Sequence, residues 1–483
     1  MSWGRRDACA VRRSAIDLLG DVDMARLWPF GNHNITRREL FKGATAVVAS
    51  GVAAKLLVDA LLRLEEPSAE SATSAGQASR STGEGHVIDV REFKRTMTVE
   101  ALVKTAEDYF AASTSWDSLL AKPLSQIEDT PDLLNNFAHV LTGLQLLPGM
   151  TVLDFGAGSC WASHWLTQLG MEAIALDVSQ TALKIGRALY ARQPVFGDRP
   201  RPRFLVFDGR RIALANASVD RILCLDTFHH LLNADEVLRE MSRVLKPGGI
   251  AGFSEPGPRH SRSAQSQFEM RNFKVLEDDI HVAEIWSSAE RAGFVRMKLA
   301  VFSPRPLLMS LPEFDAYLDG GAANQRFAEM TRAQMQDRRV FFLQKGGEAP
   351  PLDSRSRAGL AATLEVKLAS ATVQAGTPLV AQVIVTNSGR ATWLPASSKV
   401  GAVQLGCHLL DASGKMLAVD YFRQALTPGD GLPIAPGKTV KLETRIPSPP
   451  EGSYVLEFDL VSESVGWFAM SGSEIVRRTI QVT

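Results

Sequence analysis

Seven short apolar segments recur between Thr151 and Lys345, and amphipathic stretches separate the early ones. They read "TVLDFG", "EAIALDV", "RFLVFDG", "VDRILCLDTF", "GGIAGFSEP", "VRMKLAVF" and "RRVFFLQK". Two of the intervening stretches, "SQTALKIGRALYARQ" and "ADEVLREMSRVLKPGG", carry apolar residues at three-to-four spacing. Strand alternating with helix predicts an α/β, doubly wound, Rossmann-like sheet of seven strands. In such a sheet a ligand sits at the carboxyl ends of the strands. Functional residues are therefore expected among those that follow each strand.

At 483 residues the chain is long for one domain. Residues 1–35 read as irregular. Residues 36–64, "TRRELFKGATAVVASGVAAKLLVDALLRL", resemble a twin-arginine export signal around Arg37-Arg38. Lys55 and Asp59 interrupt the apolar run, so an amphipathic helix lying on a membrane or on the protein stays open beside export. Residues 65–86 lack large apolar side chains over most of their length and read as a flexible linker. A domain over 87–345 follows, with helical patterns ahead of its 151–255 core. A second linker covers 346–359.

Beyond it, over 360–483, the pattern turns to period two, as in "AQVIVTN" and "SYVLEFDLV", with "DASGK" as a hairpin turn. This predicts an all-β sandwich of immunoglobulin type, with Tyr454 as a candidate tyrosine corner. Trp393, Trp467 and Phe468 read either as core or as a surface for sugars or a partner; core is the preferred reading.

The first strand runs into "DFGAGSCW". Gly156 and Gly158 supply a tight turn, with Ala157 between them. A dinucleotide-binding turn needs a third glycine where Trp161 stands, which argues against a pyrophosphate or nicotinamide cofactor. Asp154, two residues ahead of Gly156, repels phosphate and suits a cation. S-adenosylmethionine is such a cation, with a sulfonium, an ammonium and no phosphate. Asp177 ends the second strand at the spacing of an acid that binds ribose hydroxyls. Asp208 and Gly209 end the third strand, where an adenine edge is met. Asp226 lies in "CLDTFHHLLN" after the fourth.

These residues together resemble the class I S-adenosylmethionine-dependent methyltransferases of the type 11 kind. The family's acidic glycine motif matches Asp154–Gly158, with Cys160 at its third glycine. Its ribose acid matches Asp177 and its adenine contact Asp208-Gly209. Its histidine pair matches His229-His230, and its "LKPGG" matches Leu245–Gly249. The resemblance implies S-adenosylmethionine as cofactor, bound by Asp154, Gly156, Ala157, Gly158, Asp177, Asp208, Gly209 and Asp226.

Methyl transfer mainly needs a nucleophile held close and in line. A base is needed when the acceptor carries a proton, and the candidates are His229, His230, His260 and Glu255, with His230 and Glu255 first. Residues 257–281 read as a substrate lid. Cys9, Cys160, Cys224 and Cys407 form no CxxC pair, so neither a zinc site nor a disulfide framework is expected, and no metal is assigned.

Basic and acidic residues balance at 53 each, which gives no pointer to nucleic acid. The acceptor expected is a small molecule or a glycan intermediate. The other reading is a non-catalytic cofactor-binding or assembly protein whose sandwich binds glycan or a protein. Because the donor is made in the cytosol, cytoplasmic residence, tethered to the inner membrane or free, fits better than export. Oligomeric state is left open by the sequence.

Overall fold

A computed structural model describes residues 87–303, 306–348, 351–427 and 431–483. The export-like segment 36–64 and its flanks lie outside the described residues. Among the described residues no helix is long and apolar enough to cross a membrane.

All seven strands of the α/β body form where the sequence pattern puts them. They are β1 (Thr151–Phe155), β2 (Glu172–Asp177), β3 (Arg203–Val206), β4 (Val219–Leu225), β5 (Leu245–Pro256), β6 (Phe294–Leu299) and β7 (Arg338–Lys345). Their order is β3-β2-β1-β4-β5-β7-β6. The first five are parallel, and β7 runs antiparallel to both β5 and β6. The chain winds outward from β1 through β2 to β3, then returns to β4 on the other side of β1. That reversal opens a crevice above the carboxyl ends of β1 and β4.

Helices cover both faces: α1 (Val90–Thr96), α2 (Val99–Ala111), α3 (Thr130–Leu144), α4 (Trp161–Gln168), α5 (Gln180–Arg192), α6 (Ala234–Val244), α7 (Ala264–Asn272), α8 (Val282–Arg291), α9 (Leu311–Leu318) and α10 (Ala322–Asp337). Successive strand residues face opposite sides, so each strand feeds two cores. Leu153, Ile222, Cys224, Phe341 and Leu343 pack with α6 and α8. Val152, Leu223, Val340 and Phe342 pack with α3, α4 and α5. Phe253 pairs with Phe341 across the β5–β7 ladder, and their rings stack at 4.6 Å. Helices α9 and α10, inserted between β6 and β7, contain no fully buried residue.

The C-terminal region is all β, in two sheets around one core. Strands β8 (Ala362–Leu368), β9 (Thr372–Val373), β10 (Leu379–Asn387), β11 (Val403–Asp411), β12 (Met416–Ala425), β13 (Thr439–Ile446), β14 (Gly452–Ser462), β15 (Gly466–Trp467) and β16 (Val476–Val482) supply them. One sheet is β13-β10-β8. The other is β12-β11-β14-β16-β9, with β15 paired to β14. The expected turn at Asp411–Lys415 joins β11 to β12, with Asp411 N–H donating to the Lys415 carbonyl.

Trp393 and Phe468 are fully buried and meet edge-on, so they are core and offer no surface to a glycan. Trp467 is half-buried under Arg423 and His408. The Tyr421 hydroxyl donates forward to the Pro447 carbonyl at 2.7 Å, and Tyr454, the candidate tyrosine corner, lies within β14. Cys160, Cys224 and Cys407 are free and buried.

The connection 346–359 is packed in its second half. The Ser354 hydroxyl donates to the Gly401 carbonyl, and Ser462 donates to the Ser354 carbonyl. Arg355 reaches back to the Pro148 carbonyl of the α/β body.

Candidate active site

A cleft of about 590 Å³ opens over the carboxyl ends of β1, β2 and β4. Helix α2 roofs it. This helix carries Val99, Leu102, Val103, Ala106 and Phe110 at helical spacing, and all five line the cleft. Its sequence pattern gave a helix but no role. The stripe stays only partly buried along most of its length, which no sequence pattern marks. Glu107 fastens the helix in place. Its carboxylate accepts bonds from Ser179 Oγ at 2.7 Å, and from Thr181 N at 3.1 Å and Oγ1 at 2.6 Å.

The glycine turn follows β1. Gly156 has φ +73°, and a Cβ there would lie 2.0 Å from Thr227 Cγ2, so no larger residue fits. Gly156 N–H and Ala157 N–H both donate to the Leu176 carbonyl. Gly158 N–H donates to Asp177 Oδ2 at 2.8 Å. Three consecutive amides of the turn are thus already bonded within the protein. A phosphate-binding turn keeps such amides for its anion.

Cys160, standing for the family's third glycine, takes a left-handed conformation at the start of α4. It fits because Gly186 of α5 faces it: a Cβ at 186 would lie 2.2 Å from Cys160 Sγ. Trp161 opens α4 and packs against Phe137 and Trp165.

Asp177 lines the cleft, and its Oδ1 also accepts from Ser179 N–H at the start of α5. Asp154 lies behind the lining, where it accepts from Ser163 Oγ at 2.6 Å. Burial raises both carboxyls to about 6. Of the two, only Asp177 is placed for its ionised form to meet a cation in the cleft.

Gly209 lies in the lining, under Val99 and Val103. Asp208 is exposed and outside the lining; its Oδ1 accepts from Arg210 and Arg211 N–H and closes the turn after β3. Asp226 lines the cleft with φ +46° and is paired with Arg338 at the start of β7. Burial raises its carboxyl, but the Arg338 charge and hydrogen bond, together with the charges of His229 and His230, outweigh that and leave it below the usual value.

At the far end of the cleft lie His229, His230, His260 and Glu277. Glu255 was expected to face substrate, but it is fully buried beneath this end. Its Oε1 accepts from Thr227 N–H at 3.1 Å and Phe228 N–H at 2.9 Å. Its Oε2 meets His229 Nδ1 at 2.7 Å. It shapes the loop after β4 and does not reach the cleft. Burial pulls the His229 imidazole down, but the Glu255 bond and charge more than offset it and leave it above its usual range.

His230 stays in the lining, and its Nδ1 donates to the Leu276 carbonyl at 2.6 Å. Burial and neighbouring His229 push it down to about 4. At neutral pH it is a neutral ring whose Nε2 keeps a lone pair, a good hydrogen-bond acceptor and a weak base. His260 Nε2 lies 2.6 Å from Glu277 Oε2. Sequence reasoning missed Glu277, which sits in the segment 257–281 read as a lid. No spacing rule ties residue 277 to residues 229 and 230.

The fold is a doubly wound α/β sheet with a glycine turn after β1, one acid (Asp154) within β1 and another (Asp177) at the end of β2. Residues 153–253 match the methyltransferase domain family. A demethylmenaquinone methyltransferase from Renibacterium salmoninarum is 30% identical over 140 residues, 28% of this chain and 55% of its own length. Methyltransferase GfsG from Streptomyces halstedii is 33% identical over 182 residues, 36% of this chain and 64% of its own length. The chain thus spans between half and two thirds of these relatives. Among solved structures, geranyl diphosphate C-methyltransferase from Streptomyces coelicolor is 14% identical, with a TM-score of 0.37, over 51% of this chain and 98% of that one. Over residues 153–253 the α/β body is therefore similar to methyltransferase domains. Its cleft suits S-adenosylmethionine, with the buried Asp177 for the cation and the amides of 156–158 already bonded within the protein.

Proposed function

We propose that the chain transfers a methyl group from S-adenosylmethionine to a small acceptor with an apolar body and a polar head. The observation that carries this reading is the two-ended cleft. Asp177 and the bonded glycine turn stand at one end, imidazoles and Glu277 at the other, and apolar side chains such as Leu133, Phe110 and Leu231 lie between. The apolar lining favours such an acceptor over a saccharide, and the burial of Trp393 and Phe468 takes two of the three aromatics out of the sequence argument for a glycan. The demethylmenaquinone methyltransferase among the relatives, by its name, acts on a molecule of this general kind.

S-adenosylmethionine supplies an activated methyl on a sulfonium. In this reading Asp177 and Asp226 hold the cationic cofactor from below, and α2 closes over it and excludes water. Glu255, through His229 and the amides of 227 and 228, fixes the loop that sets the acceptor's distance and line of approach. His230 accepts a hydrogen bond from the acceptor's polar head. The two-sheet C-terminal region, which we read as an immunoglobulin-like sandwich, has its own core and is assigned no part in the chemistry.

The test is calorimetry with S-adenosylmethionine and S-adenosylhomocysteine, followed by methyl transfer from labelled donor to a panel of hydroxylated aromatics, quinols and sugars. Binding lost in Asp177→Ala, with label entering an apolar hydroxylated acceptor, supports the reading. Absence of cofactor binding by the wild type, or transfer to sugars alone, would sink it.

A further inference from the structure

We propose that His229, His230 and Glu277 form a site for a divalent first-row transition-metal ion at the acceptor end of the cleft, with His260 beside it. One donor atom from each of the three lies within 4.8 Å of the others. His229 Nε2 is 3.7 Å from Glu277 Oε2. Ligands about 2.1 Å from one ion lie roughly 3.0–3.4 Å apart. The cluster therefore needs to close by about an ångström, and Glu277 sits on a loop.

The outer partners are those a metal-binding histidine uses. A ligating imidazole commonly donates its other N–H to a carboxylate or a backbone carbonyl, which fixes the tautomer. His229 Nδ1 meets the buried Glu255 carboxylate, and His230 Nδ1 donates to the Leu276 carbonyl. A carbonyl oxygen only accepts, so the His230 hydrogen is on Nδ1, and its Nε2 lone pair, farther from Glu277 than the 3.6 Å that separates Nδ1 from Oε1, turns to the ion as the cluster closes. Two imidazoles, one carboxylate and no thiolate suit zinc, iron, cobalt or nickel over the all-oxygen preference of magnesium and calcium. All three residues line the cleft, so coordination positions remain for an acceptor oxygen or water.

The site's purpose rests on the proposed methyl transfer, though metal binding itself does not. An ion here orients a hydroxylated acceptor and lowers the pKa of its oxygen. The His230 lone pair would then go to the ion, and the hydroxyl proton lost on methylation would pass to solvent water.

The test uses the untagged full-length chain, stripped with a chelator. S-adenosylhomocysteine binding is measured first, by calorimetry. Co²⁺ is then titrated, followed by visible absorption, and Zn²⁺ is added to displace it. The expected result is one equivalent of Co²⁺, with ligand-field bands that Zn²⁺ removes. Glu277→Gln and His230→Ala each weaken Co²⁺ by about tenfold or more and leave S-adenosylhomocysteine binding in place. A chain that takes up no stoichiometric Co²⁺, or whose Co²⁺ affinity is untouched by both substitutions, overturns the site and leaves a His260–Glu277 hydrogen-bonded network. Loss of S-adenosylhomocysteine binding by the wild type would strike the cofactor reading instead. One equivalent of Co²⁺ sensitive to both substitutions would still support the ion.

Discussion

At the glycine-turn end of the cleft, residues close in sequence hold one another: Asp177 bonds Gly158 N–H nineteen residues away and Ser179 N–H two away. At the acceptor end, residues from three separate stretches meet: His229 and His230 after β4, His260 after β5, and Glu277 before α8. The first end is fixed by strand ends and backbone bonds. The second depends on a loop shaped by Glu255 from below. This difference means that damage to the turn should abolish cofactor binding, whereas damage to the far end should spare it.

Gly156→Ala breaks the contrast most severely. With φ +73° and Thr227 in the way, it should destabilise the folded chain by about 2–4 kcal/mol. S-adenosylhomocysteine binding should vanish with it, as read by denaturant unfolding and calorimetry. A milder variant, Asp177→Ala, is expected to weaken S-adenosylmethionine by roughly 100-fold, the loss of a charge-assisted pair of bonds. Retention of wild-type affinity in a folded Asp177→Ala chain would mean the cation is held elsewhere.

pH sharpens the same end. Both Asp154 and Asp177 have folded values raised to about 6. In the absence of cofactor they favour folding most below their unfolded value of about 3.9, and that contribution is lost as pH rises through 6. A cationic ligand in the cleft prefers Asp177 ionised. S-adenosylmethionine affinity should thus fall below pH 6, by up to about tenfold per pH unit. Asp177→Asn should flatten the profile; an unchanged slope would count against this assignment.

At the far end, Glu255→Gln should lower kcat by about tenfold and leave cofactor affinity within about threefold, a positioning effect. An equal fall in cofactor affinity would erase the distinction between the two ends. The smallest effect is expected from Trp467→Ala in the β region. It should cost about 1 kcal/mol of stability through the lost Arg423 and His408 contacts, with no change in methyl transfer.

The seven strands and the glycine turn were legible because strand-end residues follow directly from periodicity. Asp177 and Asp226 fell where the sequence put them. Asp208 and Glu255 were found as residues but not as roles: one closes a turn, and the other points under the sheet rim instead of over it. A strand's alternation tells which face a residue takes, but not how the following loop folds back across its end. Glu107, Glu277 and the apolar face of α2 escaped because their partners lie on other elements. No local pattern marks a helix whose apolar stripe faces a ligand.

Positions 160 and 186 share a single volume. Cys160 Sγ fills the space that a side chain on Gly186 would need. Only one of the two can be large, so an alanine at 186 is tolerated when 160 is reduced to glycine and refused when it is not. A side chain at 160 is therefore accommodated by a glycine that stands a helix, a strand and half a second helix further along the chain.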